Sequence, residues 1–177
     1  MPEALFYMQK VVAVAGLPGS GKTTVAKIIE SYGYSYYSLG DVVRAEAQRA
    51  GTSPDKAAVV LRLEKGRRAV ARGLLENMKT SAKIVIDGVR GLEEVEALEE
   101  VFSHVFLIYV VASRRTRYMR LVGRGRVDDP VTFSQFLMRD IRELRFGLAD
   151  LLARADYILV NEDKSTEELQ KEISRLL

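Results

Sequence analysis

The chain of 177 residues lacks cysteine altogether. It can therefore form neither a disulfide nor a metal site built on thiolates, and a reducing compartment fits this composition. No apolar run approaches the roughly 20 residues that a membrane-spanning helix needs, and the first residues do not follow the pattern of a signal peptide. We therefore expect a cytoplasmic protein without a membrane partner.

Histidine is nearly absent, and so is a strong excess of one charge. The single histidine, His104, begins a predicted strand after an acidic helix, where a structural or solvated role is expected. The formal net charge of +3 does not by itself indicate a nucleic-acid binder, although many arginines fall between residues 114 and 145. With 47% hydrophobic residues, the chain has enough apolar material for the core of one domain spanning residues 1–177.

Short runs rich in β-branched residues alternate along the chain with amphipathic helical stretches. The predicted strands cover residues 10–15, 34–38, 83–87, 105–111 and 156–160. The stretch 55–78 is helical in pattern but interrupted at Gly66 and Gly73, which predicts two helices or one imperfect helix. Alternation of strands and helices predicts a parallel sheet covered on both faces. We expect a three-layer α/β fold with five parallel strands in the order 2-3-1-4-5.

Two of the predicted helices divide clearly into apolar and charged positions. In the long helix that begins near residue 133, the apolar positions are expected to face the core; they are Phe133, Leu137, Ile141, Leu144 and Leu148. Arg139 lies on the other side of that helix, where it is equally free to face a cleft or the solvent. The acidic residues between positions 93 and 100 are expected to form a solvated helix face.

A phosphate-binding loop joins the first predicted strand to the first helix. Its pattern is Gly16-x-x-x-x-Gly21-Lys22-Thr23, and an incidental glycine-rich turn is disfavoured because strand, loop and helix fall in register. The loop amides and the helix N-terminus favour a phosphate, Lys22 can reach the β- and γ-phosphates, and Thr23 can hold Mg²⁺. The predicted cofactors are ATP and Mg²⁺, and the fold is that of the P-loop NTPases. The residues predicted to contact the nucleotide are Gly16, Leu17, Pro18, Gly19, Ser20, Gly21, Lys22, Thr23 and Thr24.

The sequence lacks the motif by which GTPases recognise guanine, which disfavours this class of P-loop protein. A GTPase would need a guanine-reading Asn-Lys-x-Asp motif, and residues 161–164 contain similar letters in the wrong order. A large motor or repair ATPase would normally be longer and carry further motifs. The small size therefore favours a kinase, a transferase of the γ-phosphoryl group.

Three further segments carry a family resemblance. They are Gly40-Asp41-Val-Val-Arg44, Asp87-Gly-Val-Arg90 and Arg120-Leu-Val-Gly-Arg124-Gly-Arg126-Val-Asp128-Asp129. With the loop, they make the chain resemble nucleoside-monophosphate kinases and, more distantly, dephospho-CoA kinase. The closest resemblance is to a mainly archaeal family of nucleotide-kinase-like proteins related to dephospho-CoA kinase, and it covers nearly the whole chain.

The resemblance implies a division of roles. A helical region of about 40–80 would bind the phosphate acceptor, a nucleotide or nucleotide-like small molecule, and a short lid of about 120–130 would close over the donor. Asp41, Arg44, Asp87 and Arg90 would lie at the substrate, with Asp87 also near Mg²⁺ through a water. The residues that would act in transfer, with arginines clamping the moving phosphoryl group, are Lys22, Arg120, Arg124, Arg126 and Arg139.

Physical chemistry supports the same roles, because phosphoryl transfer needs mainly positioning and neutralisation of spread negative charge. Arginine suits this task, since its planar fork meets two phosphate oxygens and stays protonated. The Asp87-Gly-Val-Arg90 segment lacks the Phe-Pro of adenylate kinases and the lid is short, which leaves the acceptor open. The base preference and the oligomeric state are open as well.

Two alternatives to a small-molecule kinase remain. The protein could be an ATP-binding module without transfer activity, or a nucleic-acid end-processing kinase that uses the arginines of residues 114–145 as a phosphate track. The second is disfavoured because the tyrosines between residues 32 and 37 have no interleaved lysine or arginine and are interpreted as packing residues.

Overall fold

The computed structural model describes residues 10–79, 81–126 and 129–177. The N-terminal residues to which the signal-peptide prediction refers, and Asp128 of the predicted lid, lie outside these ranges. In the described part of the chain, no helix has both the length and the hydropathy required to cross a membrane.

Five strands form one sheet in which every neighbouring pair is parallel. The strands are β1 (Lys10–Ala15), β2 (Ser35–Ser38), β3 (Lys83–Val89), β4 (Val105–Val111) and β5 (Tyr157–Val160). Their order is β2-β3-β1-β4-β5, which confirms the predicted order. All five carboxyl ends therefore lie at the same edge of the sheet, where α/β proteins bind their ligands.

Helices cover both faces of this sheet. They are α1 (Lys22–Ser31), α2 (Leu39–Ala50), α3 (Pro54–Lys65), α4 (Ala69–Asn77), α5 (Leu92–Glu99), α6 (Arg114–Arg124), α7 (Phe133–Glu143), α8 (Ala149–Arg154) and α9 (Thr166–Ser174), with a π-helical turn (Leu144–Leu148) between α7 and α8. Strand β1 shows why the layers form: Val11 and Ala13 pack into one core and Val12 and Val14 into the other. A strand buried on both faces needs apolar residues throughout, as its sequence has.

The interrupted helical stretch resolves into α3 and α4, which separate at Gly66. Gly66 has a φ of 87°, a backbone conformation that favours glycine and ends α3. Gly73 does not interrupt α4. A Cβ atom at Gly73 would lie 3.2 Å from a methyl carbon of Val42, so this glycine allows α4 to pack closely on α2.

Two predicted helix faces are wrong in part, although Glu96, Glu99 and Glu100 of the acidic face are exposed as predicted. On α7, Phe133 and Ile141 are 44% and 43% exposed, whereas Asp140 and Glu143 are buried. Phe136 of the same helix is fully buried, and the two carboxylates can be buried with it because arginines from other elements pair with them. On α5, Glu94 is likewise buried against Arg62 at 2.6 Å and is not part of a solvated face.

Candidate active site

The phosphate loop is pressed against the ends of other elements. Gly19 and Gly21 have φ values of 81° and 94°, which other residues rarely adopt. A Cβ atom at Gly19 would lie 2.5 Å from the carbonyl oxygen of Arg117 at α6, and one at Gly21 would lie 2.2 Å from Nδ2 of Asn161. The glycines are therefore required both by the backbone turn and by the neighbours.

The carbonyls of the loop are bound from behind. Asn161 Nδ2, directly after β5, donates to the Ser20 carbonyl oxygen at 2.8 Å, and Arg117 Nη1 donates to that of Pro18 at 3.2 Å. Because a trans peptide unit points its N–H opposite to its C=O, the amides of Gly19 and Gly21 are directed to the other side of the loop. Pro18, Gly19, Lys22 and Thr23 line a cleft of about 290 Å³ at the loop.

This cleft brings together most of the predicted site residues. Its lining includes Lys22, Thr23, Asp41, Arg44, Asp87, Arg90, Arg124, Arg126 and Arg139, together with Tyr36, Asp55 and Glu143, which were not predicted. Of the remaining predicted loop residues, Leu17 packs against the core, Ser20 is buried and Thr24 is exposed.

Asp87 is held by two hydroxyl groups. Thr23 Oγ1 donates to Asp87 Oδ2 at 2.7 Å, and the Tyr36 hydroxyl donates to the same oxygen at 3.0 Å. The other carboxylate oxygen, Oδ1, is buried and has no hydrogen-bond partner. Burial and the Asp87 charge raise the pKa of Tyr36 well above its usual value, so its hydroxyl remains a donor at neutral pH.

Lys22 lies among charges of both signs. The pKa of Lys22 is lowered to about 8, mainly by burial and also by the charges of Arg90 and Arg139, while Asp87 and Glu143 oppose the change. A lysine with this pKa is still largely protonated at pH 7. Its charge is nevertheless poorly compensated by the protein, as expected of a group that awaits an anion.

The lid arginines are organised by one buried carboxylate. Asp129 accepts from Nε of Arg124 and from the backbone N–H of Arg126, each at 2.9 Å, and pairs with Arg139 at 3.3 Å. Burial raises the pKa of Asp129, but the hydrogen bonds from Arg124 and Arg126 outweigh it and hold the pKa below its usual range. The carboxylate thus stays ionised and gathers two guanidinium groups beside the cleft.

The same cleft is lined by Asp41, Arg44, Asp55, Arg90 and Glu143, a set that we call the acceptor wall after the acceptor region predicted from the sequence. Arg44 pairs with Asp41 at 2.5 Å and Arg90 pairs with Glu143 at 3.0 Å. Burial raises the pKa of Glu143, but Arg90 and Lys22 outweigh it, so that the net shift is downward. Each arginine of this wall therefore already has a carboxylate partner.

The structure differs from the prediction for Arg120. This residue is not part of the cleft lining; its guanidinium donates to the carbonyl oxygens of Gly19 at 3.4 Å and Ser20 at 3.3 Å, and to that of Asn161 at 3.0 Å. It supports the loop from behind because α6 runs along the back of the loop.

Several residues of the site were not predicted from the sequence. Arg117 is buried between the Pro18 carbonyl and Asp140, with which it forms two hydrogen bonds at 2.8 and 2.7 Å. Asn161 carried an available signal, since it follows β5 at the same sheet edge as Gly16. The polar positions of α7 carried none, because the apolar stripe of this helix predicted that its other side faces inward.

The residues present fit a nucleotide with magnesium. Buried polar atoms without partners, Ser20 Oγ and Asp87 Oδ1, lie on the loop and beside it, next to the partly buried Lys22. Thr23 and Asp87 are oxygen donors of the type that Mg²⁺ prefers. Among the described residues, no group of three or more acidic or histidine side chains could hold a metal ion by itself. Such an ion would therefore depend on phosphate oxygens.

Sequence comparisons place the chain in a family. The sequence model described as an AAA domain matches residues 15–133. A UPF0200 protein of Pyrobaculum aerophilum is 70% identical over 170 residues, which cover 96% of this chain and 98% of the relative. The chain belongs to the UPF0200 family. UPF0200 proteins of Hyperthermus butylicus and Thermococcus sibiricus are 42% and 40% identical, each over 94% of this chain and over 92% and 93% of their own lengths.

The fold of this UPF0200 protein is shared with a kinase of known structure. An unliganded sugar kinase from Janibacter sp. HTCC2649 superposes with a TM-score of 0.64 at 18% identity, covering 93% of this chain and 91% of the other. This likeness shows the fold alone. The family match and the superposition together indicate a P-loop protein with the fold of a kinase.

Proposed function

We propose that this UPF0200 protein binds ATP with Mg²⁺ at the phosphate loop and transfers the γ-phosphoryl group to a nucleotide or nucleotide-like small molecule. The observation that carries the proposal is the cleft itself. It joins the loop, Lys22, Thr23 and Asp87 on one side to the arginines of the lid and of α7 on the other.

Each part of the cleft would have a distinct task. The amides of Gly19 and Gly21 and the Lys22 ammonium group would hold the β- and γ-phosphates, and Thr23 and Asp87 would hold Mg²⁺, which neutralises charge on those phosphates. Arg124 and Arg139, gathered by Asp129, lie where they can neutralise the charge that spreads over the moving phosphoryl group. Closure of the glycine-containing lid would exclude water and so limit hydrolysis of ATP.

The acceptor would lie against the acceptor wall. Arg90 follows β3 and is held by Glu143, while Arg142 of α7 fixes Asp55 at 2.7 Å. This alternation of guanidinium and carboxylate groups offers both hydrogen-bond donors and acceptors. It suits a molecule with several polar groups, such as a nucleotide with its sugar and base.

The test is a binding and transfer measurement. Titration calorimetry should show ATP binding that Mg²⁺ strengthens, and Lys22→Ala should weaken it by about 100-fold, as loss of a charge-assisted contact to buried phosphate predicts. Lys83→Ala is the matched control, because Lys83 begins β3 at the opposite edge of the sheet. ADP production should then be measured with a panel of nucleoside monophosphates and dephospho-CoA.

Two results would overturn the proposal at different levels. Absence of affinity for ATP or GTP in the presence of Mg²⁺ would remove nucleotide binding. Binding without any acceptor that raises ADP production above the Lys22→Ala background would instead leave an ATP-binding module. That outcome is favoured by one observation: Arg44, Arg90 and Arg124 are each paired with a carboxylate.

A nucleic-acid kinase has less support. The arginines of residues 114–145 do not line up as a track for phosphates, since Arg117 is buried at Asp140 and Arg120 lies behind the loop. Salt-dependent binding to RNA or DNA would restore this alternative.

A further inference from the structure

We propose that Tyr36 is a positioning residue for magnesium. Its hydroxyl holds one oxygen of Asp87 so that the other oxygen stays available to the metal site. The inference rests on the proposed function, because it concerns the complex of the protein with Mg²⁺ and ATP.

The carboxylate of Asp87 is used asymmetrically. Oδ2 accepts both hydrogen bonds, from Thr23 Oγ1 at 2.7 Å and from the Tyr36 hydroxyl at 3.0 Å. Oδ1 accepts none and is buried at the cleft. A buried carboxylate oxygen without a donor is costly unless a ligand completes it. Mg²⁺ or a water bound to it would supply that missing partner.

Thr23 alone cannot fix this arrangement. A carboxylate with a single hydrogen bond can exchange its two oxygens by rotation, because the torsion that turns it is soft. The second hydrogen bond comes from Tyr36 on β2, whereas Thr23 lies on α1. Two donors from separate elements restrict the rotation of the carboxylate more than one donor does. Thr23 is also a predicted metal ligand, so a substitution of Thr23 would change two functions at once. Tyr36 is not a predicted ligand, and we assign to it the orientation of the Asp87 carboxylate.

The ring of Tyr36 is held independently of its hydroxyl. The backbone pairs with Val85 of β3 in the sheet, the ring packs against one of the two cores, and the Lys27 ammonium group lies 3.6 Å from the ring centroid. Removing the oxygen alone should therefore leave the ring in place. Tyr36→Phe is thus a clean test of the hydrogen bond.

Tyr37 provides a matched control in the same strand. Its hydroxyl donates to the Lys79 carbonyl oxygen and accepts from the Lys79 backbone N–H, each at 3.2 Å. It is not part of the cleft lining. Tyr37→Phe removes the same atom and also breaks hydrogen bonds, but without any contact with Asp87.

The experiment measures the dissociation constant of ATP by calorimetry, once with MgCl₂ and once with EDTA, for the wild type and both variants. The ratio of the two constants is the gain that the metal provides. Tyr36→Phe should reduce this gain about five- to tenfold, the effect expected for one hydrogen bond of ordinary strength. Its affinity in EDTA should stay within about twofold of the wild type, and Tyr37→Phe should match the wild type in both conditions.

A double-mutant cycle with Asp87→Asn tests whether Tyr36 acts through Asp87. In the Asp87→Asn background, Tyr36→Phe should have no further effect on the metal gain, since the oxygen that it positions has been replaced. Additive effects of the two substitutions would contradict the proposal. Thermal unfolding of each variant checks that the fold is retained.

The possible failures are distinguishable. If the wild type does not bind ATP with Mg²⁺, the proposed function and this inference fall together. If the wild type shows a metal gain that Tyr36→Phe keeps in full, only the role of Tyr36 is overturned. Equal weakening with and without metal would also overturn it, because that result indicates a packing role.

Discussion

The loop and the acceptor wall line the same cleft, but they are stabilised by different contacts. The loop presents backbone amides, and its carbonyls are held from behind by Arg117, Arg120 and Asn161. The acceptor wall presents side chains that neutralise one another in pairs, such as Arg90 with Glu143. The backbone of the loop is thus fixed by its neighbours, whereas the charged side chains of the wall are compensated by one another.

This difference predicts that damage to the loop affects nucleotide binding most. Gly19→Ala should lower the affinity for ATP by at least about 100-fold, because its Cβ would lie 2.5 Å from the backbone carbonyl oxygen of Arg117, at a φ of 81° that costs alanine roughly 1–2 kcal/mol. Calorimetry with Mg²⁺ and ATP provides the measurement.

Gly33→Ala is the matched control for Gly19→Ala. Gly33 has a φ of 86°, but its Cβ would meet no atom within 4 Å. The Gly33→Ala variant should lose a similar amount of stability, because alanine is strained at this φ, but it should keep the affinity for ATP. Equal affinities of the two variants would show that the close approach of α6 does not define the loop.

The support behind the loop should contribute strongly to stability. Asp140→Ala removes the partner of the buried Arg117, and leaving such a charge unpaired costs about 3–5 kcal/mol of the free energy of unfolding. Urea unfolding monitored by circular dichroism measures this loss. Glu46→Ala, which breaks an exposed ion pair with Arg49, should change the stability little. A small effect of Asp140→Ala would indicate that solvent reaches Arg117.

The affinity for ATP should depend on pH through the protonation of Lys22. Phosphate binding favours charged Lys22, whose pKa is about 8 in the free protein. The affinity for ATP should therefore be complete below pH 8 and fall by up to about tenfold per pH unit above it. Calorimetry from pH 6.5 to about 9.5 tests this, since Lys22→Arg should remove the dependence in that range.

The stability of the unliganded protein should change in the opposite direction. The folded state has a Lys22 pKa of about 8, below the unfolded value of 10.5, so the unfolded state binds more protons between these values. The contribution of Lys22 to stability therefore rises as the pH increases from about 8 to 10.5. An unchanged Lys22→Met difference across this window would contradict the lowered pKa.

The smallest effect on nucleotide binding is expected at the acceptor wall. Glu143→Gln removes the charge that holds Arg90 but keeps the shape of the side chain. The affinity for ATP should stay within about twofold, while the KM of the acceptor identified in the panel should rise about tenfold, as loss of one buried charged contact predicts. A loss of ATP affinity as large as that of Lys22→Ala would show that the two sides do not act separately.

The same contrast explains what the sequence could predict. The parallel sheet and the phosphate loop were predictable because their signals are local. The sheet follows from the alternation of strands and helices along the chain, and the loop follows from a contiguous glycine-lysine motif. Tyr36, Asn161 and Glu143 belong to separate elements, and their meeting depends on the packing of the whole fold. Arg120 was predicted from a lid pattern, but the pattern cannot tell on which side of the loop α6 places it.

The burial of polar residues on α7 was the least accessible to sequence reasoning. An apolar stripe usually identifies the buried side of a helix because transfer of apolar area from water dominates. Here Arg117 and Arg90 compensate Asp140 and Glu143, so that the helix can bury carboxylates and leave Phe133 and Ile141 partly exposed. Ion pairs between distant segments have no periodic signature.

Helix α7 joins three parts of the molecule within five residues. Arg139 contacts Asp129 of the lid, Asp140 contacts Arg117 behind the loop, and Glu143 contacts Arg90 on the opposite side. These positions share one rigid cylinder, so they cannot shift independently of each other. A proline inserted there would disturb the contacts with Asp129, Arg117 and Arg90 in a single step, because it breaks the helical backbone that all three share.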